Sequence, residues 1–314
     1  MKKGAIVCAS GIGDGLLMMI GAHHLKQAGL TPTVFHDRSV DLAPLFPVHI
    51  LLPHLPFEEL EEGLQKYERV IVENDHSSRA CHLFRLREQG RLPHLTFFFP
   101  TPSKMIRAGD ILFNPKIPFA SNLAEACRQL LGTALTKNND LNLPVQKVYR
   151  KYPSRIVIHP TSQDRGRNWS KKQFLTLAEQ LKKKGFSVTF CVSPKERREW
   201  EKIEGIFLPT FHTLSEVRDY LYESGFFIGN DSGMGHLASN VGLPTLTISG
   251  NPKRVFLWRP NWSMGKVVTL PFPLPNFKGI GLPIREKYWQ PFVSVSRVLH
   301  CFMELFDASS CYSL

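Results

Sequence analysis

The 314-residue sequence predicts an α/β protein built from two Rossmann-like, doubly wound domains in series. Three observations carry this. Short runs, apolar on both faces, alternate with helical patterns, as strands buried in a parallel sheet do. The alternation breaks at a polar, proline-containing stretch from Thr136 to Pro153 and then restarts. The length also exceeds what one hydrophobic core usually serves.

In the first half, Ala5–Ala9 predicts a buried strand, followed by the turn Ser10-Gly11-Ile12-Gly13 and a helix from about Asp14 to Gln27. Thr33–Phe35, Val70–Val72 and Leu95–Phe99 repeat the strand signal, the last stopped by Pro100. In the second half, Arg155–Ile158 predicts a strand, and Lys171–Lys184 a helix stopped by Gly185. Strands at Ser187–Val192, Gly225–Gly229 and Pro244–Ile248 then alternate with helices at Leu214–Glu223 and Ser232–Val241. The expected divisions are 1–150 for the first domain with its linker, 151–285 for the second, and 286–314 for a C-terminal helix and tail. The helical pattern Val293–Phe306 is expected to pack back on the first domain. Ligands of such sheets bind beyond the carboxyl ends of the strands, so the loops there hold the candidate residues.

Composition narrows the partners. The formal charge is +12, which favours anionic ones: nucleotide phosphates or an acidic membrane surface. Some of the excess is ordinary helix chemistry, since Lys182-Lys183-Lys184 suits a helix C-terminus. Nucleic acid is not expected, because no RNP, zinc-finger or helix-turn-helix pattern accompanies the charge. No apolar run reaches membrane-spanning length, and Met1-Lys2-Lys3 leads directly into a strand, so a cytoplasmic protein is expected. The six cysteines form no CxxC pair and the histidines no ligand spacing; neither disulfides, a metal nor a resident cofactor is expected.

Three strand-end segments stand out. Gly229-Asn230-Asp231-Ser232-Gly233-Met234-Gly235-His236 joins a strand to a helix. Ser232 can cap that helix, and its free N–H groups and positive dipole end suit a diphosphate. His236 could donate to a phosphate oxygen, whereas Asp231 suits donors or sugar hydroxyls. An ordinary capped turn fits the same residues. His159 to Trp169 brings Thr161, Ser162, Arg165 and Arg167 into one loop, suited to charge-assisted phosphate binding or to plain solvation over a packed Trp169. Ser10 to Gly15 fails as a dinucleotide fingerprint, since position 16 is leucine. Its Asp14 fits either a general base toward an acceptor hydroxyl or a first-turn helix acid. Glu73 and Asp75 follow a strand and could meet an acceptor. Glu196 follows another and could hold ribose hydroxyls, and loop solvation fits all three.

The stretch Asn230 to Ala238, with Pro244 and Ser249-Gly250, resembles the hallmark of glycosyltransferase family 9, the bacterial lipopolysaccharide heptosyltransferases. Gly13-Asp14 is similar to that family's Gly-Asp, and His159-Pro160-Thr161-Ser162 with Arg167, Trp169, Phe174 and Leu181 to its basic loop and following helix. The resemblance implies a GT-B fold with the two domains facing a cleft, and metal-independent, inverting transfer from an ADP-sugar. Asp14 would then be the base, with Gly13 beside it, and Glu73 and Asp75 on the acceptor side. Thr161, Ser162 and Arg167 would hold the leaving diphosphate, assisted by Ser232, Gly233, Met234, Gly235 and His236. Glu196 would contact ribose, and Asp231 the donor. The implied acceptor is an anionic lipopolysaccharide core precursor at the inner face of the cytoplasmic membrane. Transfer to a protein hydroxyl, or binding without catalysis, are the alternatives. The sequence departs from the family at Arg167-Asn168-Trp169-Ser170, where Lys and Trp-Pro are usual. It departs again at Ser193-Pro194, which replaces a glycine-rich turn, and at Ser232, which replaces threonine.

Overall fold

The computed structural model describes residues 2–271 and 289–311. The chain divides into two compact units, Met1–Asn142 and Leu143–Leu314. This division falls inside the polar Thr136–Pro153 stretch; the expected limit at 285/286 lies outside the described residues.

The first unit holds β1 (Lys3–Val7), β2 (Thr31–Phe35), β3 (Ile50–Leu52), β4 (Arg69–Glu73), β5 (Leu95–Phe99) and β6 (Ile111–Leu112) in one parallel sheet of order β3-β2-β1-β4-β5-β6. Its helices are α1 (Ile12–Gln27), α2 (Ser39–Leu42), α3 (Leu60–Gln65), α4 (Ser78–Glu88) and α5 (Phe119–Leu131). On one face Val7, Phe35, Val70, Val72, Phe97 and Phe99 form a core with Leu64 and Leu83. The strand order reverses between β1 and β4, so the crevice rule puts this unit's binding point at the carboxyl ends of those two strands.

The second unit holds β7 (Tyr152–His159), β8 (Ser187–Phe190), β9 (Ser224–Asn230), β10 (Thr245–Ile248) and β11 (Gly265–Val268), again all parallel, in the order β11-β10-β9-β7-β8. The helices are α6 (Lys171–Lys183), α7 (Arg197–Trp200), α8 (Leu214–Tyr222), α9 (Gly233–Asn240), α10 (Pro252–Trp258) and α11 (Val295–Cys311). Side chains start several of them: Ser170, Thr213 and Asn251 accept from the N–H groups of Gln173, Glu216 and Arg254. Here the order reverses between β7 and β9, which are the predicted neighbours of a ligand.

One expectation is corrected. Helix α11 was expected to pack back on the first domain, but it belongs to the second unit. Its stripe of Val298, Phe302 and Leu305 is fully buried in that unit's own core, where Phe302 meets Phe186 and Phe226 edge-to-face. An apolar stripe announces burial without naming the surface, and the apolar face of this sheet, with Phe226 on its central strand, was available to it.

Candidate active site

In the second unit, the loops after β7 and β9 emerge side by side, because His159 pairs with Gly229 across the sheet. Asn230 fastens them together. Its amide donates to the Pro160 carbonyl at 2.7 Å, and its carbonyl accepts the Trp169 N–H at 2.9 Å. Trp169 is buried and its indole donates to the Val293 carbonyl, so the loop rests on the core rather than waving in solvent. Trp289 holds the loop's other side, donating to the Gly166 carbonyl at 2.9 Å. Its indole lies on Gly250, where a β-carbon would come within 2.3 Å of the ring.

Within this frame the expected phosphate contacts separate. Thr161 Oγ1 and Ser232 Oγ are buried without a partner, and so is Nδ1 of His236. Buried polar atoms are nearly always bonded, so three such atoms around one helix start mark a place for a polar ligand. Ser232 occupies the N-cap position of α9, but its hydroxyl makes no capping bond, contrary to expectation. The hydroxyl is thereby left for a ligand at the positive end of the helix, while the Gly235 N–H already donates to the Ser232 carbonyl at 3.1 Å. Gly233, Met234 and Gly235 form that first turn. Ser162 is engaged at home instead, its hydroxyl lying 2.8 Å from the Asp164 carbonyl and 2.7 Å from Asn168 Oδ1. Arg167 stands in a single 3-10 turn, its Nε 3.3 Å from Asp164.

His236 is buried on α9. Burial pulls its pKa down to about 4, against the opposing pull of Asp231 and a bond to the Trp258 backbone. The ring is therefore neutral at pH 7. With Nδ1 unpartnered, the proton sits on Nε2 and Nδ1 presents a lone pair. In the ligand-free protein that atom can accept a hydrogen bond but has no proton to donate. Asp231, 7% exposed, is ion-paired at 3.2 Å with Nε of Arg254. That arginine escaped the sequence reading. Arg167, Arg254, Asp164, Asn251 and Trp289 line a pocket of about 240 Å³. Glu196 stands apart at the start of α7, accepting from the N–H and hydroxyl of Ser193 at 3.0 and 2.6 Å.

In the first unit, the loop after β1 is shaped around Asp14. Its carboxylate accepts the Gly11 N–H at 3.1 Å, a fold-back that a β-carbon at position 11 would block at 2.3 Å. The carboxylate thus serves the start of α1, which is one of the two roles the sequence allowed. His36 braces the same turn: Nδ1 accepts the Arg38 N–H, so Nε2 donates to the Gly11 carbonyl at 3.0 Å. Gly13 lies in the first turn of α1. Glu73 is not a surface contact; it is 3% exposed, with Oε2 accepting the Ala9 N–H at 2.9 Å. Burial, and then the charge of Asp14, push its pKa well above the usual carboxylate range, against the pull of the Ala9 bond. The same two causes, burial and then the Glu73 and Asp14 charges, raise the thiol of Cys8. Asp75 is exposed and accepts the Ser77 N–H at 2.9 Å. His54 Nδ1 and Asn74 Nδ2, after β3 and β4, are again buried without partners.

Comparison with known proteins settles the class. The family model described as glycosyltransferase family 9 (heptosyltransferase) matches residues 128–270. That span, a little under half of the chain, is therefore similar to family 9 glycosyltransferases. The matched span includes the Thr161–Trp169 loop, Asn230–His236 and Arg254, while Asp14 and Glu73 lie outside it. No curated protein matches the sequence. Among solved structures, the glycosyltransferase is similar to a family 9 glycosyl transferase from Veillonella parvula, at 15% identity, 98% coverage of each chain and a TM-score of 0.72. It is also similar to ADP-heptose lps heptosyltransferase II of E. coli, at 17% identity, 98% and 99% coverage and a TM-score of 0.68. Heptosyltransferase WaaC of E. coli, solved with ADP, matches at 16% identity, 96% and 99% coverage and a TM-score of 0.66. The fold is the GT-B fold of those heptosyltransferases, two parallel sheets flanked by helices, and sugar transfer is the activity. Among the described residues no helix is long and apolar enough to cross a membrane.

Proposed function

We propose that this glycosyltransferase moves a heptose or related sugar from an ADP-sugar onto a hydroxyl of an anionic lipopolysaccharide core precursor, with inversion and without a metal. The observation that carries the donor half is the pair of orphaned hydroxyl oxygens, Thr161 Oγ1 and Ser232 Oγ, at the N-terminal end of α9. A diphosphate satisfies both at once. The heptosyltransferase solved with ADP supports the choice of nucleotide.

In this reading the acceptor oxygen attacks the anomeric carbon from the face opposite the nucleotide. Asp14 takes the hydroxyl proton as the new C–O bond forms, and ADP departs with the electron pair of the broken bond. Arg167 and the α9 N–H groups neutralise the charge that develops on the diphosphate. The neutral His236 accepts from a hydroxyl of the donor, and Glu196 is the residue for ribose. The +12 charge suits both the anionic acceptor and peripheral attachment to the cytoplasmic face of the inner membrane.

The test is a panel of ADP, UDP and ADP-heptose in calorimetry with and without EDTA, followed by mass measurement of core precursors after incubation. ADP-linked ligands binding equally well in EDTA, and a mass gain of one heptose, are expected. Preference for UDP, or loss of activity in EDTA, overturns the donor or the metal-independent mechanism respectively.

A further inference from the structure

The family resemblance assigns one cation, Arg167, to the leaving diphosphate. We propose that Arg254 is a second, binding the donor's diphosphate directly while it holds Asp231; this rests on the donor reading above.

The site has an electrostatic problem that Arg167 does not solve. Asp231 ends β9, next to Ser232 at the very turn where α9 presents its N–H groups. A carboxylate that is 7% exposed there is poorly screened by water and repels an incoming diphosphate. Arg254, from the first turn of α10, answers it at 3.2 Å. The side chain of Arg254 is nevertheless half-exposed and lines the same pocket as Arg167, Trp289 and Gly250. A guanidinium has five donors, and the bond to Asp231 engages Nε. Its planar fork suits one carboxylate and one phosphate together, which an ammonium does not.

Two features aim the guanidinium. Its own backbone N–H is fixed by the Asn251 side chain at 3.1 Å. The guanidinium also lies 5.5 Å from the centre of the Trp258 ring. Orphaned Thr161 Oγ1 and Ser232 Oγ are the independent sign that a polar ligand belongs at this strand edge. Arg254 therefore does two jobs with one group: it cancels the buried carboxylate and adds a positive charge where the leaving group forms.

The experiment is a double-mutant cycle on the full chain, read by calorimetry with ADP, UDP and inorganic pyrophosphate as probes. Arg254→Ala is expected to weaken ADP and pyrophosphate by roughly tenfold or more, the usual size of a charge-assisted contact. The decisive arm is the Asp231→Asn background, in which no buried carboxylate needs cancelling and a folding defect of the single variant is relieved. A loss that persists in the Asp231→Asn background, smaller than in wild type where the bare carboxylate also repels the probe, is expected if the guanidinium touches phosphate. A loss that vanishes with Asp231→Asn, or unchanged affinity in Arg254→Ala, overturns the inference and leaves the donor reading intact. Wild-type protein that binds none of the three probes overturns the donor reading and this inference together.

Discussion

The two strand-end regions differ in what they offer a ligand. The first unit presents acid: Asp14 in a braced turn, Glu73 beneath it and Asp75 outside. The second presents positive charge and orphaned hydroxyls: Arg167, Arg254, Thr161 and Ser232. Both stand at the point where the strand order of their sheet reverses, so topology alone gives them equal standing. The side chains divide the labour. Under the proposed function the first edge would take up the acceptor's proton and the second would receive the negative charge of the leaving group.

The largest expected effect tests the acid edge. Asp14→Asn should lower kcat by about 10²–10⁴-fold while leaving ADP affinity unchanged, since only proton transfer is lost. Activity within tenfold of wild type removes Asp14 as the base, and a matching loss of ADP binding makes it a donor residue instead. Arg167→Ala tests the other edge. A fall of about 10²–10³-fold in kcat, together with weaker ADP binding, is expected, because charge stabilisation in the transition state is removed. If kcat is untouched and only KM rises, Arg167 binds the ground state alone.

Thr161→Val makes a smaller and more diagnostic change. Valine has the same shape and removes a hydroxyl that has no partner in the ligand-free protein. Melting temperature should hold or rise, while ADP affinity falls by roughly three- to tenfold. A drop in both contradicts the orphan argument.

The smallest effects concern pH, and they have opposite signs in the two regions. Glu73 has a raised pKa in the fold, so its contribution is complete below about 4.5 and is lost as pH climbs through the folded value. His236 has a lowered one, so stability is lost as pH falls from 6.5 toward about 4. Glu73→Gln should therefore gain melting temperature over wild type at rising pH, and His236→Gln at falling pH. Melting curves from pH 4 to 9 check both; differences that do not change with pH reject the assignments.

Much of this was legible before any coordinates, because a strand buried on both faces cannot hide. Leu95–Phe99 and Arg155–Ile158 declare themselves by composition. Ile50–Leu52 and Ile111–Leu112 did not, since apolar runs of three and two residues at the ends of the sheet are too short to tell from a loop or a helix turn. The strand-end loops could be ranked by topology and residue type. Their bonding could not. Ser232 is a capping residue by type, yet leaves its oxygen unused. Arg254 meets Asp231 across 23 positions, a contact that no local pattern encodes. Glu73 looks like a loop acid until its register beside Ala9 buries it. Such facts belong to the packed chain, where neighbours in space replace neighbours in order.

The Asn230 bridge has a consequence for anyone rebuilding this enzyme. Because one amide joins the Pro160 carbonyl to the Trp169 N–H, the basic loop is not an independent insert that can be exchanged at its two ends. It is a cartridge with its lock on another strand. A loop transplanted from a relative brings its own length and its own cation, but seats correctly only if position 230 keeps an amide and the incoming segment keeps the indole anchor. Variation in donor preference within this scaffold is therefore expected between those anchor points, at 161–168, while the anchors themselves travel together.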